Sequence, residues 1–214
     1  MELALQSLPA LARASLVTVG LAAASMAAGL AIGLVTALIR IANIPVLSHL
    51  MRAYVSIIRG TPLLVQIYLV YYGPPQFGWS LEPVPSGILA LSLNVGAYLS
   101  ESFRGAIESV PKGQMEAAYT LGMTYWTAMR RIIVPQSFRT ALPTIGNSYI
   151  GLLKDTSLVS VITVTELLRQ SNVIIARTWQ PLTIYLTAAA LYWVMSTMFS
   201  YVQQRVERRV SRHV

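Results

Sequence analysis

Cysteine is absent from this 214-residue chain, which excludes disulfides, thiolate metal sites and cysteine nucleophiles. Histidine is almost absent: His49 and His213 are the only two, leaving little for imidazole catalysis. Lysine is equally rare. Lys112 is followed by Gly113 and Lys154 by Asp155, so the Gly-Lys-Ser/Thr of a phosphate-binding loop is missing and ATP cannot be held by that route. No catalytic residue, metal ligand or cofactor of the chain's own is expected. Charge is scarce as well, at 11% of residues against about 25% in a soluble domain.

What is present is apolar: 55% of residues are hydrophobic and the mean hydropathy is +0.58. Composition alone makes this a membrane protein, and the length fits one domain, residues 1–214. Charge-free windows between Arg13 and Arg40, Arg59 and Glu82, Glu82 and Glu101, Arg139 and Lys154, and Arg177 and Arg205 measure against the ~20 apolar residues a spanning helix needs. They predict an all-α, polytopic fold of about five spans, near 14–39, 60–80, 84–104, 138–160 and 179–204. The fourth is irregular, because Lys154 and Asp155 interrupt it. The first is too long for a signal peptide core and lacks a basic leader. Thr61 is placed as N-cap of the second span with Pro62 at its first helical position. Gly73-Pro74-Pro75 then kinks or ends it. Gly29 and Gly33 permit close helix packing.

Orientation follows from the basic residues. Twelve of the sixteen fall in three loop groups: Arg40, Arg52 and Arg59; Arg104, Lys112, Arg130, Arg131 and Arg139; and Arg205, Arg208, Arg209 and Arg212. Arg13, Lys154, Arg169 and Arg177 fall on the other side. The positive-inside rule puts the larger set in the cytoplasm, with the N-terminus outside and the C-terminus inside. The net charge of +8 is thus mostly topology, and nucleic acid is not an expected partner.

Residues of about 108–135 form the longest polar stretch on the cytoplasmic side. Ser109 and Pro111 are expected to open a short helix, with Glu116 in its first turns where a negative charge suits the dipole. Gly122 is expected to end it in the left-handed region. Thr124 then caps a second helix, Arg130 and Arg131 fall in its last turn, and Pro135 stops it. Met115, Ala118, Tyr119 and Gly122 share one face, and Trp126, Met129 and Ile133 another. Periodicity alone is equally consistent with an amphipathic loop lying on the membrane surface.

The pattern Glu116-Ala117-Ala118-x3-Gly122-x9-Ile132-x-Val134-Pro135 resembles the EAA loop of the permease subunits of bacterial ABC importers, with Val134 where that pattern has Leu. Arg59-Gly60-Thr61-Pro62-Leu63-Leu64-Val65-Gln66, Ala97-Tyr98-x-x-Glu101-x-x-Arg104-Gly105 and Lys154-Asp155-Thr156-Ser157-Leu158 are similar to the polar amino-acid branch (histidine, glutamine and cystine types). The resemblance implies a type I importer fold in the bacterial inner membrane. Glu116, Ala117, Ala118, Tyr119, Gly122, Met123 and Trp126 would couple the chain to a cytoplasmic ATPase dimer, which holds the ATP and Mg. A second permease subunit and an extracytoplasmic amino-acid-binding protein would complete the assembly. A self-sufficient channel or secondary carrier is the alternative; a membrane-embedded enzyme is a more distant one, lacking Cys, paired His or a ligand cluster.

Polar groups within the spans mark the candidate pathway. Lys154 and Asp155 are expected at a helix break facing a cavity, with Asn147, Gly151, Thr156 and Ser157 nearby; together they offer complements to a zwitterion, or the pair only fixes an extracytoplasmic turn or a subunit contact. Asn94, Tyr98 and Glu101 share one face of the third span. Glu101 is expected to pair with Arg104 at i+3. Arg59 either anchors the second span at the cytoplasmic interface or contacts a gate or the ATPase. Glu166 and Arg169 form an exposed ion pair of little value, or lie on the surface meeting the binding protein.

Overall fold

Forty consecutive residues, Glu2–Ile41, form the first helix, α1. It begins well before residue 14 because Leu3, Ala4, Leu5 and Leu8 extend the helix-forming run beyond Arg13. Its buried residues, among them Leu11, Ser15, Thr18, Ala22, Met26, Gly29, Gly33 and Ala37, recur at steps of three and four and so define a single stripe. The computed structural model describes residues 2–211; Arg212 and His213 lie outside them.

A strained turn, with Val46 at φ 65°, leads to α2 (Leu47–Gly60), a helix absent from the predicted spans. It carries Arg52 and Arg59, so a search for charge-free windows passes over it. The chain then bends by 111° into α3 (Leu63–Tyr72). Thr61 is not the N-cap of α3: Pro62 is, and the Thr61 hydroxyl donates back to Ile57 O at 2.8 Å. A 3-10 turn, Pro74–Phe77, follows α3.

Next come α4 (Pro83–Glu108), α5 (Lys112–Thr120), α6 (Tyr125–Ala128) and α7 (Val134–Asp155). A 3-10 segment, Thr156–Ile162, extends α7 before α8 (Leu167–Thr178) and α9 (Pro181–Ser211). Among the described residues there is no strand. Glu2–Ile41 and Pro181–Val210 are long and apolar enough to cross a membrane. Two bent pairs, 47–60 with 63–77 and 125–162 with 167–178, bring that number to four. At ~1.5 Å per residue α4 also has spanning length. It mixes Ser86, Ser92, Asn94 and Ser100 into its sequence, because much of it is covered by other helices.

Helix packing inside a bilayer rests on close contact, not on exclusion of water, and the α1–α4 seam supplies it. A methyl group on Gly29 would sit 2.3 Å from Val95 Cγ1, and one on Gly33 3.0 Å from Gly96 O. One on Gly96 would meet Ile32 Cγ2 at 2.9 Å. Leu21, Ile67, Leu91, Leu99, Leu153 and Ile162 complete a core shared by α1, α3, α4, α7 and its 3-10 extension. At one end of the seam Arg40 pairs with Glu101. Glu101 also takes the expected bond from Arg104 Nη2 at 2.9 Å, and Arg104 reaches Glu108 at 2.6 Å.

Candidate functional site: an exposed wedge joined to a polar cavity

The wedge is built by local rules. After α5 the chain turns at Gly122, φ 75°, a backbone angle that L side chains rarely adopt. Met123 N donates to Ala118 O at 3.0 Å and Gly122 N to Tyr119 O at 2.9 Å. This is the paired bonding of a Schellman stop. Thr124 then caps α6, accepting from Thr127 N at 3.4 Å. Ala118 is fully buried and Met115 partly so, whereas Tyr119, Leu121 and Trp126 are exposed. The expected face is therefore split, with Ala118 turned in and Tyr119 turned out.

Two expectations about this segment are corrected. Ser109 does not open α5: its hydroxyl donates to Ala106 O at 2.8 Å within the end of α4, and Pro111 occupies the cap position. Glu116 lies one turn inside α5, beyond the reach of the helix-terminal field. Its side chain is exposed and has no ion pair among the described residues. Ala117 beside it is also exposed, and Met123 partly so.

The larger correction concerns Pro135. It does not end the second helix. Residues Met129–Ile133 widen into a π-turn, in which Val134 N reaches back to Met129 O. The wider turn admits the proline ring without breaking the helix, and Pro135 sits in the first turn of α7. The wedge is thus continuous with the helix that carries the candidate pathway residues. Arg130 and Arg131 point outward from this turn.

A cavity of about 440 Å³ opens between the α2–α3 bend, α4 and α7. Asn94, Tyr98, Gly151 and Asp155 line it, with Thr61, Pro62 and Ser148. Asn94 Nδ2 donates to Gln66 Oε1 at 2.9 Å. Gln66 Nε2 donates in turn to Ile58 O at 2.7 Å and to Thr61 Oγ1 at 2.9 Å. Gln66 thereby ties the bend to α4. The Arg59 guanidinium lies 5.4 Å from the centre of the Tyr98 ring, within cation–π range.

The remaining candidates lie elsewhere. Lys154 is exposed and does not line the cavity, since successive helical residues point about 100° apart. Thr156 is buried and donates to Leu153 O at 2.8 Å, and Ser157 is partly buried outside the lining. The helix does not break at Lys154: it tightens to 3-10 at Thr156 and turns only at Thr163, φ 67°. Asn147 accepts from Gln203 Nε2 of α9 at 3.3 Å.

Glu166 is neither exposed nor paired with the Arg169 guanidinium. It is fully buried and accepts from Leu168 N at 2.9 Å, Arg169 N at 2.8 Å and Tyr192 OH at 2.7 Å. Thr18 of α1 lies beside it at 3.5 Å. A carboxylate directly before an apolar run signals such a cap, and that cue was available in the sequence. Gln66 and Gln203 carried no comparable sign, because their partners are set by packing between helices.

Among the described residues the fold is all-helical, and an exposed two-helix wedge leads into the helix that lines the cavity. Residues 29–212 match the family of binding-protein-dependent transport system inner membrane components. The L-cystine transport system permease protein TcyB of Bacillus subtilis is 48% identical over 198 residues, covering 92% of this chain and 85% of that protein. The glutamine transport system permease protein GlnP of Escherichia coli is 34% identical over 206 residues, covering 95% and 94%. A crystal structure of an amino acid ABC transporter with histidines superposes with a TM-score of 0.91, at 38% identity over 96% of each chain. The chain belongs to the family of binding-protein-dependent transport system inner membrane components, and its fold is that of a type I ABC importer permease.

Proposed function

We propose that the chain is the transmembrane permease subunit of an ATP-driven importer of polar amino acids, cystine-like ones included, and that it works as one of two permease subunits. The observation that carries this reading is the unbroken path from the exposed wedge through the π-turn into α7, the helix that lines the cavity. A self-sufficient channel or carrier has no use for such a path.

In this reading the chain crosses the bilayer five times, at 2–41, 47–77, 83–108, 134–178 and 181–211 in broad terms, the second and fourth crossings being bent. The N-terminus is outside and the wedge and C-terminus are cytoplasmic, as the basic residues demand. An ATPase dimer holds ATP and Mg and receives Glu116, Ala117, Tyr119, Trp126 and their neighbours in a groove. Closure of that dimer carries the wedge with it, and α7 follows as part of the same rigid body. An extracytoplasmic binding protein delivers the amino acid. Asp155 supplies an acceptor for its ammonium group. Arg59, exposed and outside the lining but resting on the Tyr98 ring at the edge of the cavity, supplies the cation for the amino acid's carboxylate.

Reconstitution in lipid vesicles with the ATPase and binding protein tests the reading. Uptake of a labelled polar amino acid must depend on both partners. Glu116→Lys should abolish binding-protein-stimulated ATP hydrolysis, and unchanged stimulation would refute the coupling role. Asp155→Asn should lower uptake while leaving ATPase attachment intact.

A further inference from the structure

Helix α7 has a weak point halfway along. Pro143 lies inside the helix and offers no N–H to the preceding turn, and Gly146 follows one turn later. The portion before this point continues the wedge, and the portion after it carries Gly151 and Asp155 at the cavity. Motion delivered by the wedge reaches the cavity only if this joint transmits it.

One side chain closes on the joint. Gln203 of α9 fills the notch over Gly146, where even a methyl group would lie 2.3 Å from Gln203 Cδ. Its Nε2 reaches Pro143 O at 3.1 Å, Asn147 Oδ1 at 3.3 Å and, on its own helix, Glu207 Oε1 at 2.7 Å. The glutamine thus grips both sides of the glycine, and Glu207 fixes the direction from which it grips. Beyond it, Tyr149 and Phe199 meet edge to face at 4.8 Å and continue the same α7–α9 contact.

We propose that Gln203 is a positioning residue which stiffens α7 across Pro143 and Gly146, so that displacement of the wedge moves the cavity-lining half of the helix. The inference rests on the permease reading, since it needs an ATPase to drive the wedge. Two elements are required. Space at Gly146 lets the side chain in, and the amide donor holds the backbone and Asn147 once it is there.

The test uses the complete transporter in vesicles and reads imported amino acid per ATP hydrolysed, alongside the thermal midpoint of the assembly. Gln203→Met keeps the length that fills the notch and removes the donor. It should lower import per ATP about tenfold, within the usual range of coupling between sites, with ATP hydrolysis and the thermal midpoint close to wild type. Gly146→Ala should lower import per ATP likewise by expelling Gln203, with some fall in the thermal midpoint from the lost packing. The double variant Gly146→Ala/Gln203→Ala should regain packing without regaining import per ATP. A wild-type ratio in Gln203→Met would overturn the proposal. So would a parallel fall of hydrolysis, import and thermal midpoint, which marks a packing role alone. Failure of the wild-type assembly to couple uptake to ATP would instead refute the permease reading.

Discussion

The wedge at 112–133 and the turn at 156–166 are both interruptions in a helical chain, yet they present opposite faces. In the wedge, Tyr119, Leu121 and Trp126 are exposed, the last at 76%. At the second turn Thr156, Val159, Ile162, Val164 and Glu166 are all buried, with Glu166 at 0%. One interruption satisfies its own backbone by glycine and threonine caps, which leaves Tyr119, Leu121 and Trp126 exposed. The other satisfies its backbone with a buried carboxylate, and that carboxylate draws in α1 and α9. Here a break capped from within its own turn leaves apolar side chains exposed, and a break capped by a buried carboxylate is covered by neighbouring helices.

The contrast breaks most visibly at Gly122. Gly122→Pro cannot adopt φ 75° and costs about 3 kcal/mol or more of local structure. The wedge should lose its shape, and the ATPase should no longer co-purify from mild detergent. Global melting of the transmembrane helices should change little. Glu166→Ala is the mirror experiment. It strands two backbone N–H groups and the Tyr192 hydroxyl, at about 1–3 kcal/mol for each buried group left unpaired. It should lower the thermal midpoint of the isolated subunit markedly, whereas wedge substitutions leave it in place.

Smaller effects sharpen the same line. Trp126→Ala removes an exposed aromatic of the kind that anchors interfaces. ATPase binding, measured by titration in detergent, should weaken about 30-fold, equivalent to about 2 kcal/mol. Thr124→Ala removes one cap worth about 1 kcal/mol. Faster hydrogen exchange confined to α6 is the expected result, and exchange spreading into α4 would contradict the local character of the wedge.

How much of this was legible in the sequence follows the same division. The stop at Gly122 and the cap at Thr124 depend on residues within one turn, so pattern and structure agree there. The Glu101–Arg104 pair is local in the same sense, whereas Arg40 is 61 residues away and was not foreseen. Glu166 was misread because Arg169 sits three residues on and invites an ion pair. Its local partners are the N–H groups of Leu168 and Arg169, and its side-chain partners, Thr18 and Tyr192, are 148 and 26 residues distant. Helix α2 was passed over for another reason. Its signal is periodic, with Met51, Tyr54, Val55 and Ile58 partly or fully buried between positively charged residues, and a search for charge-free runs does not register a period. Pro135 was read by the rule for a regular helix, which a π-turn suspends.

That π-turn also sets a counting rule for the chain. The turn at Met129–Ile133 closes one revolution with one residue more than a regular helix uses. Removing that residue would restore an α-turn with the wedge in nearly the same phase, whereas removing one from the regular helix that follows would swing Trp126 and Glu116 by roughly 100° around the axis of α7. Length changes near Ser80 would alter only the connection between two helix ends. In the first turns of α7, beyond Pro135, a single deletion would leave every side chain of the wedge intact and turn all of them by that angle.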